Sequence, residues 1–156
     1  MGIMKSWTGS LQVALAVALV LVLGTALTFA QGDDADDPQQ VVVHLSHFSD
    51  DLHAVTMSLG LAANMQEQGA SVTLMLDLEG PRLADKRQSL DMIWGHSRTV
   101  AELYTAFVTA GGTALLCPHC ADHAGVTGEH VREGARIAEE GELARLILEA
   151  DKVVDY

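Results

Sequence analysis

Apolar residues follow two different patterns along this chain. Residues 11–30 (LQVALAVALVLVLGTALTFA) form one uncharged block with no amphipathic period, unlike a helix resting on a core. From residue 41 the pattern changes to short apolar runs separated by stretches with helical spacing. Residues 41–46 (VVVHLS) are nearly continuous and β-branched, which predicts a buried strand. Ser49, Asp50 or Asp51 then supplies the N-cap of a helix. Its apolar face includes Leu52, Val55, Leu59 and Ala62, and Gly69 ends it. Residues 71–78 (SVTLMLDL) predict a second strand. Residues 79–96 read as loop or irregular helix, punctuated by Gly80-Pro81 and Gly95. A helix from Ser97 or Arg98 to Ala110 stops at Gly111-Gly112, and residues 113–116 form a third strand running into Cys117. A short helix to about His123, a fourth strand within 134–138, a helix over 140–150 and a strand from Val153 follow.

Strands separated by helices predict an α/β fold, a mainly parallel sheet of about five strands covered on both faces in three α/β/α layers. Reactive groups in such sheets gather beyond the carboxyl ends of the strands. Three clusters should therefore share one edge. They are His47, Asp50 and Asp51 after the first strand, Asp77 and Glu79 after the second, and Cys117 to Cys120 after the third.

Composition explains the uncharged block. The 156 residues are 49% hydrophobic yet carry 21 acidic side chains against nine basic ones. Residues 1–30 hold one charge, Lys5, ahead of the apolar run and end on Thr28-Phe29-Ala30, which reads as an export signal cleaved after Ala30. If uncleaved, about 20 apolar residues form an anchor, the only membrane contact the sequence predicts. Either way the domain works outside the cytoplasm, in the periplasm if exported. Residues 31–40 (QGDDADDPQQ) make an acidic spacer that cannot bury a face, and residues 41–156 form one domain. The acidity argues against nucleic-acid binding, because phosphate recognition needs clustered Lys and Arg.

Both cysteines fall in one motif, Cys117-Pro118-His119-Cys120, where a strand ends and a helix begins. Backbone N–H groups at a helix start favour an anion, so Cys117 is the expected nucleophile, and a protonated His119 would add to the effect. Cys120, one turn on, is placed to resolve a bond formed at Cys117. Two other readings use the same residues. Cys117, Cys120 and His123 suit a soft metal, copper or zinc. Alternatively the pair is a plain structural disulfide in a non-catalytic protein, although so short a loop gains little chain entropy.

The ordered set of segments resembles the DsrE family, which includes sulfur-relay proteins of the TusD type. The resemblance covers residues 41–156. It rests on VVVHLS with its polar loop and Ala/Leu-rich helix, on GASVTLMLDLEGPRLADKR, and on AGGTALLC. Gly125-Val126, eight residues after Cys117, and the closing LEADKVVDY complete it. It implies a flavodoxin-like sheet and a homo-oligomer. In relay members a cysteine at the position of Cys117 accepts sulfur as a persulfide and hands it on. The implied partners are a sulfur donor or acceptor protein, or a small thiol or sulfide species. Two features depart from that pattern, the export signal and the additional Cys120.

The histidines carry weaker expectations. His44 lies within a buried strand and reads as a hydrogen-bonded core residue. His47 becomes a base or ligand near Cys117 if the first strand neighbours the third. Asp50 and Asp51 read as caps, and Trp94 and Tyr104 as packing or oligomer contacts. No G-x-G-x-x-G follows a strand, and neither G-x-x-x-x-G-K-[ST] nor G-x-S-x-G occurs, so no cofactor is expected.

Overall fold

The β-branched run that opens the domain becomes β1 (Gln40–Leu45), and α1 (Leu52–Glu67) and β2 (Ser71–Leu76) follow it. A 3₁₀ turn (Gly80–Ala84) and a long loop lead to α2 (Val100–Thr109), β3 (Thr113–Leu116) and α3 (Pro118–His123). After a second 3₁₀ turn come β4 (Ala135–Ile137), α4 (Glu142–Glu149) and β5 (Lys152–Asp155). This computed structural model describes residues 37–156; the predicted export signal and the spacer up to residue 36 lie outside the described residues. Among the described residues no helix is long and apolar enough to cross a membrane.

The five strands form one sheet in the order β4-β3-β2-β1-β5, and every neighbouring pair is parallel. Why β1 lacks polar alternation is now evident. Val41, Val43 and Leu45 enter the main core beside Val55, Leu59 and Ala62 of α1, while Val42 is 2% exposed on the opposite face. Burying each of these aliphatic side chains stabilises the fold by about 1.5–3 kcal/mol before entropy is subtracted.

Topology explains the layers. The chain steps from β1 to β4 in one direction, and right-handed crossovers place α1, α2 and α3 on one face. The return from β4 to β5 runs the other way, so the same handedness carries α4 across the opposite face, where it contacts β1. That second layer is thin, because no residue of α4 is fully buried. The chain exits from β3 and β4 leave toward opposite faces, which opens a switch point beside Cys117.

Element ends differ from the sequence expectation for local reasons. β2 stops at Leu76 rather than residue 78, because Leu78 takes φ 46° and cannot continue a strand. α2 starts at Val100, two or three residues late, where Thr99 and Glu102 form a reciprocal capping box. α4 starts at Glu142 after Gly141, whose φ of 74° suits only glycine well.

Candidate functional site

Beyond the carboxyl ends of β3, β2 and β1 the three anticipated clusters line one edge of the sheet, because those strands are adjacent and parallel. β3 ends by donating the Cys117 N–H to the Leu76 carbonyl at 2.8 Å. Cys117 then caps α3, with Pro118 in the first turn, where its missing N–H costs nothing. The Cys117 carbonyl accepts from Ala121 N–H at 2.9 Å. Cys117 and Cys120 are both partly exposed free thiols. Burial pushes the Cys120 thiol up; the adjacent Cys117 and the Asp77 carboxylate add to this, while the Leu78 backbone N–H opposes it.

The second cluster is a tight turn. Gly80 N–H returns to the Asp77 carbonyl at 2.7 Å, and Glu79 N–H reaches the Ser46 carbonyl at 3.1 Å. Gly80 lacks a side chain because the Leu45 carbonyl occupies the place of its Cβ. Leu78 sits at the apex with a left-handed backbone and 66% exposure, a strained residue beside the Cys120 thiol. Glu79 is drawn aside by Arg82 at 2.7 Å.

His44 is hydrogen-bonded, as the sequence suggested, but it is partly exposed and lies outside the hydrophobic core. Its ring lies at the strand-end edge, with Nδ1 2.5 Å from Asp155 Oδ1 and Nε2 2.8 Å from Asp77 Oδ1. The second approach is an ion-pair distance without hydrogen-bond alignment, and both of its atoms are buried with no other partner. Sequence reading missed this pair because the partners lie far along the chain; the strand-end rule marked Asp77 alone.

His47 does not meet the condition attached to it. β2 separates β1 from β3, so the residues after β1 do not adjoin Cys117. His47 Nδ1 instead pairs with Asp50 at 2.6 Å, which raises the imidazole and lowers the carboxylate. Asp51 caps α1 by accepting from Ala54 N–H at 2.9 Å. His119 and His123 are exposed on α3. Among the described residues no three His, Cys, Asp or Glu side chains converge as a metal-binding group. Trp94 stacks on His53 at 4.0 Å, and Tyr104 is buried, which pushes its phenol up to about 12.

Behind the site the long loop grips α3. The Asp85 carboxylate, 1% exposed, receives both Nε and Nη2 of Arg87, and the same Nη2 donates to the Gly125 carbonyl at 2.8 Å. Gly125 closes α3, so the buried Asp85 carboxylate, acting through the half-exposed Arg87, fixes the helix that carries Cys120. Nothing in the loop's sequence pattern marked it.

The DsrE/DsrF-like family model matches residues 39–156. The chain belongs to the DsrE/DsrF-like family. Among solved structures, YchN of E. coli is similar at TM-score 0.62 and 22% identity, covering 77% of this chain and 100% of that one. A Methanobacterium thermoautotrophicum protein of unknown function aligns at TM-score 0.61 and 14% identity, over 76% of this chain and 99% of its own. A third, from Bacteroides thetaiotaomicron, gives 0.56 and 15%, over 76% and 95%. These likenesses concern the fold. No curated protein matches the sequence. Within this DsrE-like domain the CxxC stands at the β3 exit, beside the switch point where such sheets place their chemistry.

Proposed function

We propose that this protein is an exported sulfur-carrier or thiol-redox member of the DsrE/DsrF-like family, with Cys117 as the sulfur-bearing residue and Cys120 as the resolving thiol. One observation carries the reading: two free thiols stand together at the carboxyl end of β3 in a chain whose family suggests sulfur relay. In the carrier step the Cys117 thiolate attacks the outer sulfur of a donor persulfide, forms Cys117–S–SH and releases the donor thiolate. Attack by the Cys120 thiolate on the Cys117 sulfur then closes a disulfide and releases hydrosulfide. A small disulfide enters the same cycle, leaving as two thiols. Export follows from the reading of residues 1–30, and an oxidising compartment gives a resolving thiol a use that a cytoplasmic carrier lacks.

The test is mass spectrometry after exposure to polysulfide. The reading expects added sulfur at Cys117, lost in Cys117→Ser and kept in Cys120→Ser. Neither added sulfur nor a Cys117–Cys120 disulfide in the wild-type chain, together with no adduct at Cys117 in Cys120→Ser, would sink it.

A further inference from the structure

We propose that Arg87 is a positioning residue for the resolving thiol. Its grip on the end of α3 holds Cys120 within reach of the Cys117 sulfur, and so sets how fast the protein disulfide closes and how strongly it is favoured. Attack by Cys117 itself does not depend on Arg87. The inference rests on the reading in which Cys117 carries sulfur and Cys120 resolves it.

The two cysteines are held from different sides. Cys117 belongs to the sheet, since β3 delivers it and its N–H donates to the Leu76 carbonyl of β2 at 2.8 Å. Cys120 sits on α3, a helix of six residues. That is far short of the roughly 12 residues a helix needs to persist by itself. The place of Cys120 therefore depends on what fastens the far end of α3.

That end is closed twice. Within the chain, Val126 N–H returns to the Ala121 carbonyl at 2.8 Å and Gly125 N–H to the Asp122 carbonyl at 3.0 Å. Gly125 is left-handed, at φ 68°, as this paired closure requires. The turn so closed begins at Cys120, whose carbonyl accepts from Ala124 N–H at 2.9 Å. From outside the helix, Arg87 Nη2 donates to the Gly125 carbonyl at 2.8 Å.

Arg87 is itself aimed by a carboxylate. Asp85 Oδ2 accepts from Nη2 at 2.8 Å, and Oδ1 accepts from Nε and from the Arg87 backbone N–H, both at 2.9 Å. Asp85 is fastened in turn. Its backbone bridges to Val131, its carbonyl accepts from Arg132 Nη2 at 2.9 Å, and Lys86 N–H reaches the His130 carbonyl at 2.8 Å. The Asp85 carboxylate is almost fully buried, which is a costly way to stabilise a loop, because apolar side chains of similar volume often serve as well or better. What an apolar residue cannot do is point a planar fork of N–H groups at one backbone carbonyl. The pair is built for placement, and it places the turn that starts at Cys120.

Reaction of the reduced chain with a chromogenic aromatic disulfide reads the two steps separately. First the Cys117 thiolate attacks one sulfur, forms a mixed disulfide and expels one aromatic thiolate. Cys120 then gives its proton to the buffer and attacks the Cys117 sulfur, the protein disulfide closes, and a second aromatic thiolate leaves. Cys120→Ser should stop after the first release, which identifies the phases. Arg87→Ala removes the contacts to Asp85 and Gly125 together; Arg87→Lys keeps the charge beside Asp85 but has no fork to span both. In Arg87→Ala the first phase should match wild type while the second slows about tenfold or more, since a displacement of about 1 Å can cost a hundredfold in rate. The dithiol–disulfide equilibrium, read against glutathione, should shift toward the dithiol by a similar factor. Arg87→Lys should fall between Arg87→Ala and wild type in both readouts.

A purely structural role gives a different result. It would lower the unfolding midpoint and leave both phases and the equilibrium of the folded variants as in wild type, which overturns the proposal. Equal slowing of the two phases overturns it as well, because Arg87 would then act on Cys117 too. Arg87→Lys retains the ion pair and decides the matter if Arg87→Ala fails to fold. Absence of the first phase in wild type would overturn the Cys117 reading and this one together, whereas two phases in wild type that Arg87→Lys leaves unchanged overturn the positioning role alone.

Discussion

The N–H of Cys117 donates to the carbonyl of Leu76 at 2.8 Å, so the strand that delivers the CxxC and the strand that delivers Asp77 end at the same level. That one bond places a thiol pair, a strained turn and a carboxylate together. Each can be perturbed separately.

The Cys120 thiol should alkylate with a midpoint above the ordinary thiol range near pH 8.5, because burial, Cys117 and Asp77 all oppose its anion. Asp77→Asn should bring the midpoint down. Alkylation of Cys120 followed against pH in a Cys117→Ser background, with and without Asp77→Asn, measures this. A midpoint that the Asp77 change leaves untouched would count against that influence of the Asp77 charge.

Leu78→Gly should stabilise the domain by roughly 0.5–1 kcal/mol. A left-handed backbone costs a non-glycine residue about 1–2 kcal/mol, and the added freedom of glycine in the unfolded chain returns about 0.5–1 kcal/mol of that. Little burial is lost, since Leu78 is 66% exposed. Chemical denaturation checks the sign.

Gly80→Ala should act in the other direction. A Cβ there meets the Leu45 carbonyl, so the Asp77–Gly80 turn must shift away from β1. A loss of about 1–3 kcal/mol is expected, the usual range for overpacking. The Asp77 influence on Cys120 should weaken in the same variant, readable in the alkylation profile.

Acid should unfold the domain partly through Asp85. Hydrogen bonds from Arg87 hold this carboxyl below its ordinary value of 3.8. Because the folded-state value is the lower one, the stabilisation is fully present above the unfolded value and is lost as pH falls through the folded value. Arg136 acts likewise on Glu142, which is lowered to about 2. Asp85→Asn should flatten the melting-temperature curve below about pH 4 and lower stability at neutral pH by about 2 kcal/mol, as charge-assisted bonds are lost. Thermal unfolding across pH measures both effects.

Much of the fold was legible because its signals are local. VVVHLS is apolar at consecutive positions since both faces of β1 are covered, and that pattern survives in sequence. The shared edge was legible too, because parallel strands joined by helices put all their carboxyl ends on one side. Strand order was not. Only the order shows that β2 intervenes between His47 and Cys117, and that β5 pairs with β1 and brings Asp155 to His44. The Asp85–Arg87 pair escaped notice because it lies in a loop with no period, and its burial depends on packing from residues about forty positions away.

Intact mass and peptide mapping of the protein, taken from its own compartment under rapid thiol trapping, address Cys117 most directly. The account predicts a population carrying extra sulfur on Cys117 or a Cys117–Cys120 disulfide, converted to two trapped thiols by reductant. Two free thiols throughout, unchanged after exposure to a persulfide donor, would contradict it.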